Sequence, residues 1–411
     1  MAGATIDHMI SLTILISALL VAMLMYSNLF ATAVAYDVNR QVATKASDIM
    51  NTICLSPGNP VNWGETNATV LGFGLQDPDS GGYTLSPYSM MRLSSSSSGS
   101  QLVEYPIGSG VYYNNISANF GDAIYTPLGT CIDYDEVSDL LGITGEYGFN
   151  FEIKPTLDVS VSKVSGYGHL ALKVDVTGSG LPLSGATVRH YLWHIIKDGS
   201  SAIVPYYGVN STDSFGSLLL EYNAIADVNE AYYFISYVSL SGLNGVGYYS
   251  QDFLGPYPQF IVPLVSNFDT GKVIIAHSWG VNGYTQTPVP AVDFNATFFV
   301  LTSDFQLQSL EIANSSSADT GKLNYGVSGA KSNVTTTLPT SEVGLLFITY
   351  KWNNYVGSVV LPWGVGTLGI NYSFGNEFSS AGYGFVATEI RQVTIDGISY
   401  QVKVSVWKLG S

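Results

Sequence analysis

Apolar residues run without interruption from Met9 to Phe30, MISLTILISALLVAMLMYSNLF, with no charge, glycine or proline among them. At ~1.5 Å rise per residue a helix over this run covers ~33 Å, enough to cross the hydrocarbon core of a bilayer. From Ala31 the pattern turns amphipathic. Val34, Val38, Val42, Ala46, Ile49, Met50 and Ile53 recur at three- and four-residue spacing, while Asp37, Arg40, Gln41, Lys45, Asp48 and Asn51 take the other side. Ser56-Pro57-Gly58 ends the pattern, because Pro57 disfavours helical geometry at Ser56 and has no N–H to donate. One helix with two different halves is predicted, filling residues 1–54.

The period then changes from helical to alternating. Residues 55–151 read as a Gly/Ser-rich β and loop region with a Ser94–Ser98 run, strands within Leu102–Tyr113 and Phe149–Ile153, and a helical turn or two over Asp135–Leu141. Beyond it Leu157, Val159 and Val161 oppose Asp158, Ser160 and Ser162, and Leu170, Leu172, Val174 and Val176 repeat the alternation. Gly178–Val188, GSGLPLSGATV, resembles the turn-and-strand segment common in Ig-like surface domains of bacteria and archaea. With further strands at Arg189–Ile196, Ser217–Tyr222 and Tyr232–Leu240, residues 152–254 are read as an Ig-like β-sandwich. A second β domain is expected over 255–411, with a boundary near Gly255-Pro256. It carries strands at Ala296–Thr302, Val343–Trp352 and Val356–Leu361, and a closing hairpin turning at Asp396-Gly397. The fold class expected is mainly β with one long N-terminal α-helix, a pilin-like helix followed by two β-sandwich domains.

Charge narrows the functions. Only 11% of residues are charged, against about 25% in ordinary soluble proteins. The net charge of −16 argues against a nucleic-acid partner, whose phosphates need Lys and Arg. Two cysteines leave room for one bridge, and a Cys54–Cys131 disulfide is expected to tie the end of the helix to the head. Seven Asn-X-Ser/Thr sequons, at Asn67, Asn115, Asn210, Asn295, Asn314, Asn333 and Asn371, all follow the helix and favour an extracytoplasmic, glycosylated face.

Residues 1–8 hold no Lys or Arg, and the apolar run is too long for the core of a cleaved secretory signal. The segment is therefore expected in the mature protein. Asp7 is the only acid before Asp37 and sits at the edge of the apolar run, where an unpaired carboxylate is costly. An interfacial aspartate favoured by the helix macrodipole explains it equally well.

A short N-terminal stretch, an early acid, an uninterrupted apolar helix, an amphipathic extension and a β-rich head together resemble the type IV pilins, most closely the archaeal pilins and archaellins. The resemblance implies a leader removed by a prepilin peptidase, at Ala2–Gly3 or after Gly3. It also implies a helix that waits in the membrane before packing with its copies as a filament core. Asp7 would then stand where the family carries its early carboxylate. The assembly surface would run through Asp7, Ile14, Ala18, Ala22, Val34, Val38, Val42, Ile49 and Ile53, and the small residues Ser11, Ala18 and Ala22 would let backbones approach. The chain's own β head is the other possible cover for the stripe.

Enzymatic and metal chemistry find little footing. Ala276-His277-Ser278-Trp279-Gly280 looks like a relaxed hydrolase elbow, but the Gly- and Pro-bearing sequence after it does not begin the helix such an elbow needs. His190 and His194 share a side of their segment without a third ligand nearby in sequence. Asp77, Asp79 and Gly81, or Asp133, Asp135 and Asp139, offer oxygen ligands to Ca²⁺ without matching an EF-hand loop. The expectation is a non-enzymatic, cofactor-free filament subunit of an archaeal cell surface. Its expected partners are its own copies, the membrane before assembly, and a host surface or S-layer. The rival expectation is a membrane-anchored surface receptor, adhesin or S-layer-associated protein with an extracellular β head.

Overall fold

The computed structural model describes residues 2–93, 102–115, 125–196, 203–253, 259–282, 291–316, 321–324, 331–364, 369, 371–376 and 385–409. The Ser94–Ser98 run and the Gly255-Pro256 boundary lie outside them. The chain is mainly β with one long N-terminal helix, α1, an unbroken 54 residues from Ala2 to Leu55. Ser56 N–H still bonds Thr52 C=O at 3.2 Å, and the chain then turns away. A neighbouring segment takes up carbonyls left over at this end: Leu75 N–H donates to Ile53 C=O at 3.0 Å and Gln76 N–H to Ser56 C=O at 2.9 Å. Gly58 makes the turn at φ +85°, where a Cβ would lie 2.7 Å from the Trp63 indole nitrogen.

The last turns of α1 lie on an antiparallel sheet ordered Tyr372–Gly375, Tyr147–Pro155, Ile398–Lys408, Val386–Ile395. The closing hairpin thus pairs with the strand that precedes the sandwich, Val404 opposite Phe151 and Val402 opposite Ile153. Its turn has Asp396 at φ 52° and Gly397 at φ 75°, the left-handed geometry that favours Asp-Gly in two-residue hairpins. Alternation works as it should: Ile398, Tyr400, Val402, Val404 and Val406 are all fully buried.

The sandwich packs Asp158–Lys163, His169–Gly178 and Ser217–Ala226 against a second sheet. That sheet is ordered Leu243–Gln251, Ala231–Leu240, Thr187–Ile195, Ile203–Ser211. Leu170, Leu172, Val174 and Val176 meet Val188, Leu192, Phe234 and Val238 in a separate core. One open side closes through glycine: a Cβ on Gly247 would stand 2.7 Å from Val159 C=O, and one on Gly245 2.8 Å from Leu157 Cβ.

Residues 261–363 add two more sheets. Ile261–Asn267, Lys272–His277 and Asn333–Thr337 form one. Leu307–Ala313, Val292–Leu301, Gly344–Trp352 and Tyr355–Trp363 form the other, with Lys322–Leu323 beside Val292–Leu301. Val265, Val273, Ile275, Phe294, Phe298, Ile348 and Val360 of these sheets belong to the same core as the end of α1. A small sheet of Leu102–Glu104, Tyr112–Asn115 and Tyr125–Pro127 shares a further cluster with Val262, Leu264 and Ala276. A second helix, α2 (Tyr134–Leu140), starts with a capping box. The Asp133 carboxylate accepts from Glu136 N–H at 2.9 Å, and the Glu136 carboxylate accepts from Asp133 N–H at 3.0 Å.

Candidate assembly surface

From Asp7 to Asp37 every residue of α1 is exposed. The apolar side chains point outward on all sides, Ile14 at 64% exposure and Phe30 at 73%. Asp7, Ala18, Ala22 and Val34 stand in this exposed half, and Val38 begins the transition to burial. Three of its hydroxyls are satisfied within the helix. Thr13 donates to Met9 C=O, Ser17 to Thr13 C=O and Thr32 to Asn28 C=O, each at 2.8 Å. Such back-bonding lets polar side chains sit in an apolar surrounding without an orphaned donor.

The lower half is different. Val42, Ala46, Ile49, Met50, Ile53 and Cys54 are buried, and α1 packs on Val386–Ile395 and Ile398–Lys408. The expectation that Val42, Ile49 and Ile53 need neighbouring copies is therefore corrected. One face of about three residues per two turns is as wide as one sheet covers, and the chain's own hairpin covers it.

The expected Cys54–Cys131 bridge is also corrected: both cysteines are free thiols. Cys54 faces the helix's own Met50, Sγ to Sδ at 3.5 Å, and burial pushes its thiol up to about 12. The Cys131 Sγ lies instead 3.2 Å from Thr126 Oγ1 and 3.5 Å from Pro127 C=O. The loop after the helix is instead tied to Thr130 by Arg92, which sequence reasoning passed over. Its side chain is 2% exposed and donates to the carbonyls of Trp63, Ala68 (2.9 Å) and Thr130 (2.8 Å), with the guanidinium 5.3 Å from the Trp63 ring centre. Trp63 in turn donates from its indole N–H to Gly74 C=O at 3.0 Å. Nothing in the sequence around Arg92 marks it, because its partners are loop carbonyls.

The other candidates are structural. His190 sits between Asn210 Oδ1 (3.0 Å from Nε2) and the Tyr222 hydroxyl (3.1 Å from Nδ1), and burial lowers its pKa. His194 meets Glu230 at 2.9 Å. The two histidines thus have different partners. Asp133 caps α2 and Asp139 accepts from the Thr144 hydroxyl, so neither is aimed at an ion. Ser278 is buried in a single turn, Ser278–Gly280, followed by extended Val281, and no helix begins there. Among the described residues no three His, Cys, Asp or Glu side chains stand close enough to hold a metal directly.

The sequons spread over the head. Asn210 and Asn371 are exposed, and Asn67, Asn295, Asn314 and Asn333 are half-buried. Asn295 and Asn314 come together, the Asn295 Oδ1 accepting from Ser315 N–H at 2.7 Å. Asn333 is the least available, since its amide nitrogen donates to the Tyr105 hydroxyl at 2.7 Å. The side chain of Asn115 lies outside the described residues.

No family model matches the chain, and no curated protein matches it. A solved structure with some likeness is the transglutaminase of red sea bream, at 10% identity and a TM-score of 0.18, covering 61% of this chain and 37% of that one. The chain thus spans little more than a third of that enzyme, and a likeness so slight carries no weight for fold or activity.

Proposed function

We propose that this chain is a non-enzymatic structural subunit of an archaeal type IV pilus-like filament. It is inserted in the membrane before assembly and is then held to its copies through the upper half of α1. The β domains, the first read as an Ig-like sandwich, face outward and bear glycans at exposed sequons. They provide the surface for adhesion to a host or an S-layer.

The observation that carries the reading is the length of helix left bare. From Met9, a bilayer core of ~30 Å is crossed in about 20 residues. Leu29, Phe30, Val34 and Tyr36 lie beyond that point and are still 67%, 73%, 46% and 68% exposed. Exposed apolar surface of this extent calls for a partner, and other copies of the same helix fit its all-round apolar character. The rival reading, a membrane-anchored receptor or adhesin, draws support from the lower half, since a tether whose stripe is covered by its own head needs no neighbour.

Negative-stain microscopy of a sheared cell-surface fraction, with the chain identified by mass spectrometry, separates the two. Filaments built of this chain are expected. Recovery of the chain only as a lipid-embedded monomer would establish the anchored receptor instead.

A further inference from the structure

The two open sides of the sandwich end differently. On one, Gly245 and Gly247 let the edges of the two sheets meet. On the other, the sheets end in Ile203–Ser211 and Ser217–Ala226, and no described strand pairs with the outer edge of either. The Tyr206 and Tyr222 rings touch across the opening at 5.6 Å.

Ile203–Ser211 is a bare edge. Its nine residues, IVPYYGVNS, carry no charge, and its register with Thr187–Ile195 runs without a bulge. Tyr207 and Val209 are 56% and 48% exposed on it. A long edge of unpaired N–H and C=O groups is a template for another chain, which is why edges are commonly guarded by lysines, bulges or a cover. Pro205 removes one N–H and guards only its own position.

Asn210-Ser211-Thr212, a sequon, stands at the end of this edge with Asn210 exposed. The Asn210 carboxamide is held in one orientation. Burial keeps the His190 ring neutral, so its Nε2–H donates to Asn210 Oδ1 at 3.0 Å while its Nδ1 accepts from the Tyr222 hydroxyl at 3.1 Å. Asn210 Nδ2, the atom that would bear a sugar, has no partner among the described residues. At Asn333 and Asn314, by contrast, the same nitrogen donates to Tyr105 and Glu311.

We propose that Asn210 carries a glycan that covers this bare edge and keeps the heads of neighbouring copies from pairing strand to strand. The inference rests on the reading of glycosylated heads above. In the transfer, Asn210 Nδ2 bonds the anomeric carbon of a lipid-phosphate-linked sugar. The anomeric C–O bond breaks, the phosphate leaves with its electron pair, and the amide proton passes to a base of the transferring enzyme. Thr212 is 6% exposed, and its hydroxyl donates to Leu183 C=O at 2.8 Å and accepts from Ala186 N–H at 2.9 Å. The hydroxyl that completes the sequon is thus out of reach once the sandwich has closed, so transfer precedes closure. A hydrated sugar adds bulk at the edge and brings no strand of its own to pair.

The test compares the full chain purified from its glycosylating host with Asn210→Gln and, as a control, Asn371→Gln. Glycopeptide mass spectrometry should find Asn210 modified. Sedimentation velocity in detergent should show Asn210→Gln associating about tenfold more tightly than the wild type, and Asn371→Gln unchanged. Association through α1 is common to all three, so the difference reports the edge. Adding Val209→Lys to Asn210→Gln should restore wild-type behaviour, because a charge guards the edge in the sugar's place. A bare Asn210 in the wild type would overturn the proposal, as would equal association of the two glutamine variants. Either result could arise with filaments present, so it would leave the filament reading standing.

Discussion

Leu19 and Ile49 belong to one unbroken helix and are equally apolar, yet the first is 54% exposed and the second 2%. The difference lies in the width of the apolar surface around each. Around Leu19 it runs the whole circumference, which no single sheet can cover and which suits a bilayer or a ring of similar helices. Around Ile49 it narrows to a stripe, with Lys45 and Asp48 turned to the other side, and the closing hairpin suffices. One helix therefore holds two contracts, an internal one with the head and an external one left open. The lower half is packed on the head's closing hairpin, so any partner that gathers the upper halves also brings the heads together.

Ile49→Asp should break the internal contract with the largest effect. A carboxylate there enters a filled apolar core position, a loss of about 4 kcal/mol. Denaturant unfolding of the full chain in detergent, read by tryptophan fluorescence, should show it, whereas Leu19→Ser should leave the midpoint unchanged. Equal midpoints for Ile49→Asp and the wild type would mean that the lower half is not docked.

Arg92→Ala probes the loop that follows the helix. It removes charge-assisted bonds to three loop carbonyls and the packing over Trp63, with an expected loss of about 3 kcal/mol on the same measurement. Arg92→Lys should recover only part of it, because an ammonium cannot reproduce the planar fork. Full recovery by lysine would reduce Arg92 to a simple charge.

Much of this was readable along the chain, where the information is local. Helical period, the Pro57-Gly58 stop, the alternation from Leu157 and the Asp396-Gly397 turn each depend on neighbours in sequence, and each formed where its residues indicated. The strand at Tyr147–Pro155 was visible as a strand. Its pairing with a hairpin some 250 residues later was not, because a ladder leaves no mark in either partner's alternation. The stripe through Val42, Ile49 and Ile53 declared a need for cover without naming what supplies it. Two cysteines suggested a bridge by count alone, and only coordinates show that one faces Met50 and the other Thr126. Of the two acidic runs weighed as oxygen sites, Asp133–Asp139 was consumed by helix capping. Asp77 and Asp79 line one cavity with Asp396 and Tyr88, a placement that only the fold produces.

The most direct test of the open contract keeps the upper half apolar and changes only its shape. Ala18→Phe with Ala22→Phe enlarges two exposed small residues, so lipid should accept the double variant as readily as the wild type. A helix bundle that needs close backbones should not. The account predicts normal membrane insertion, an unchanged unfolding midpoint for the head, and no filaments in the sheared fraction. Filaments as abundant and regular as those of the wild type would contradict it.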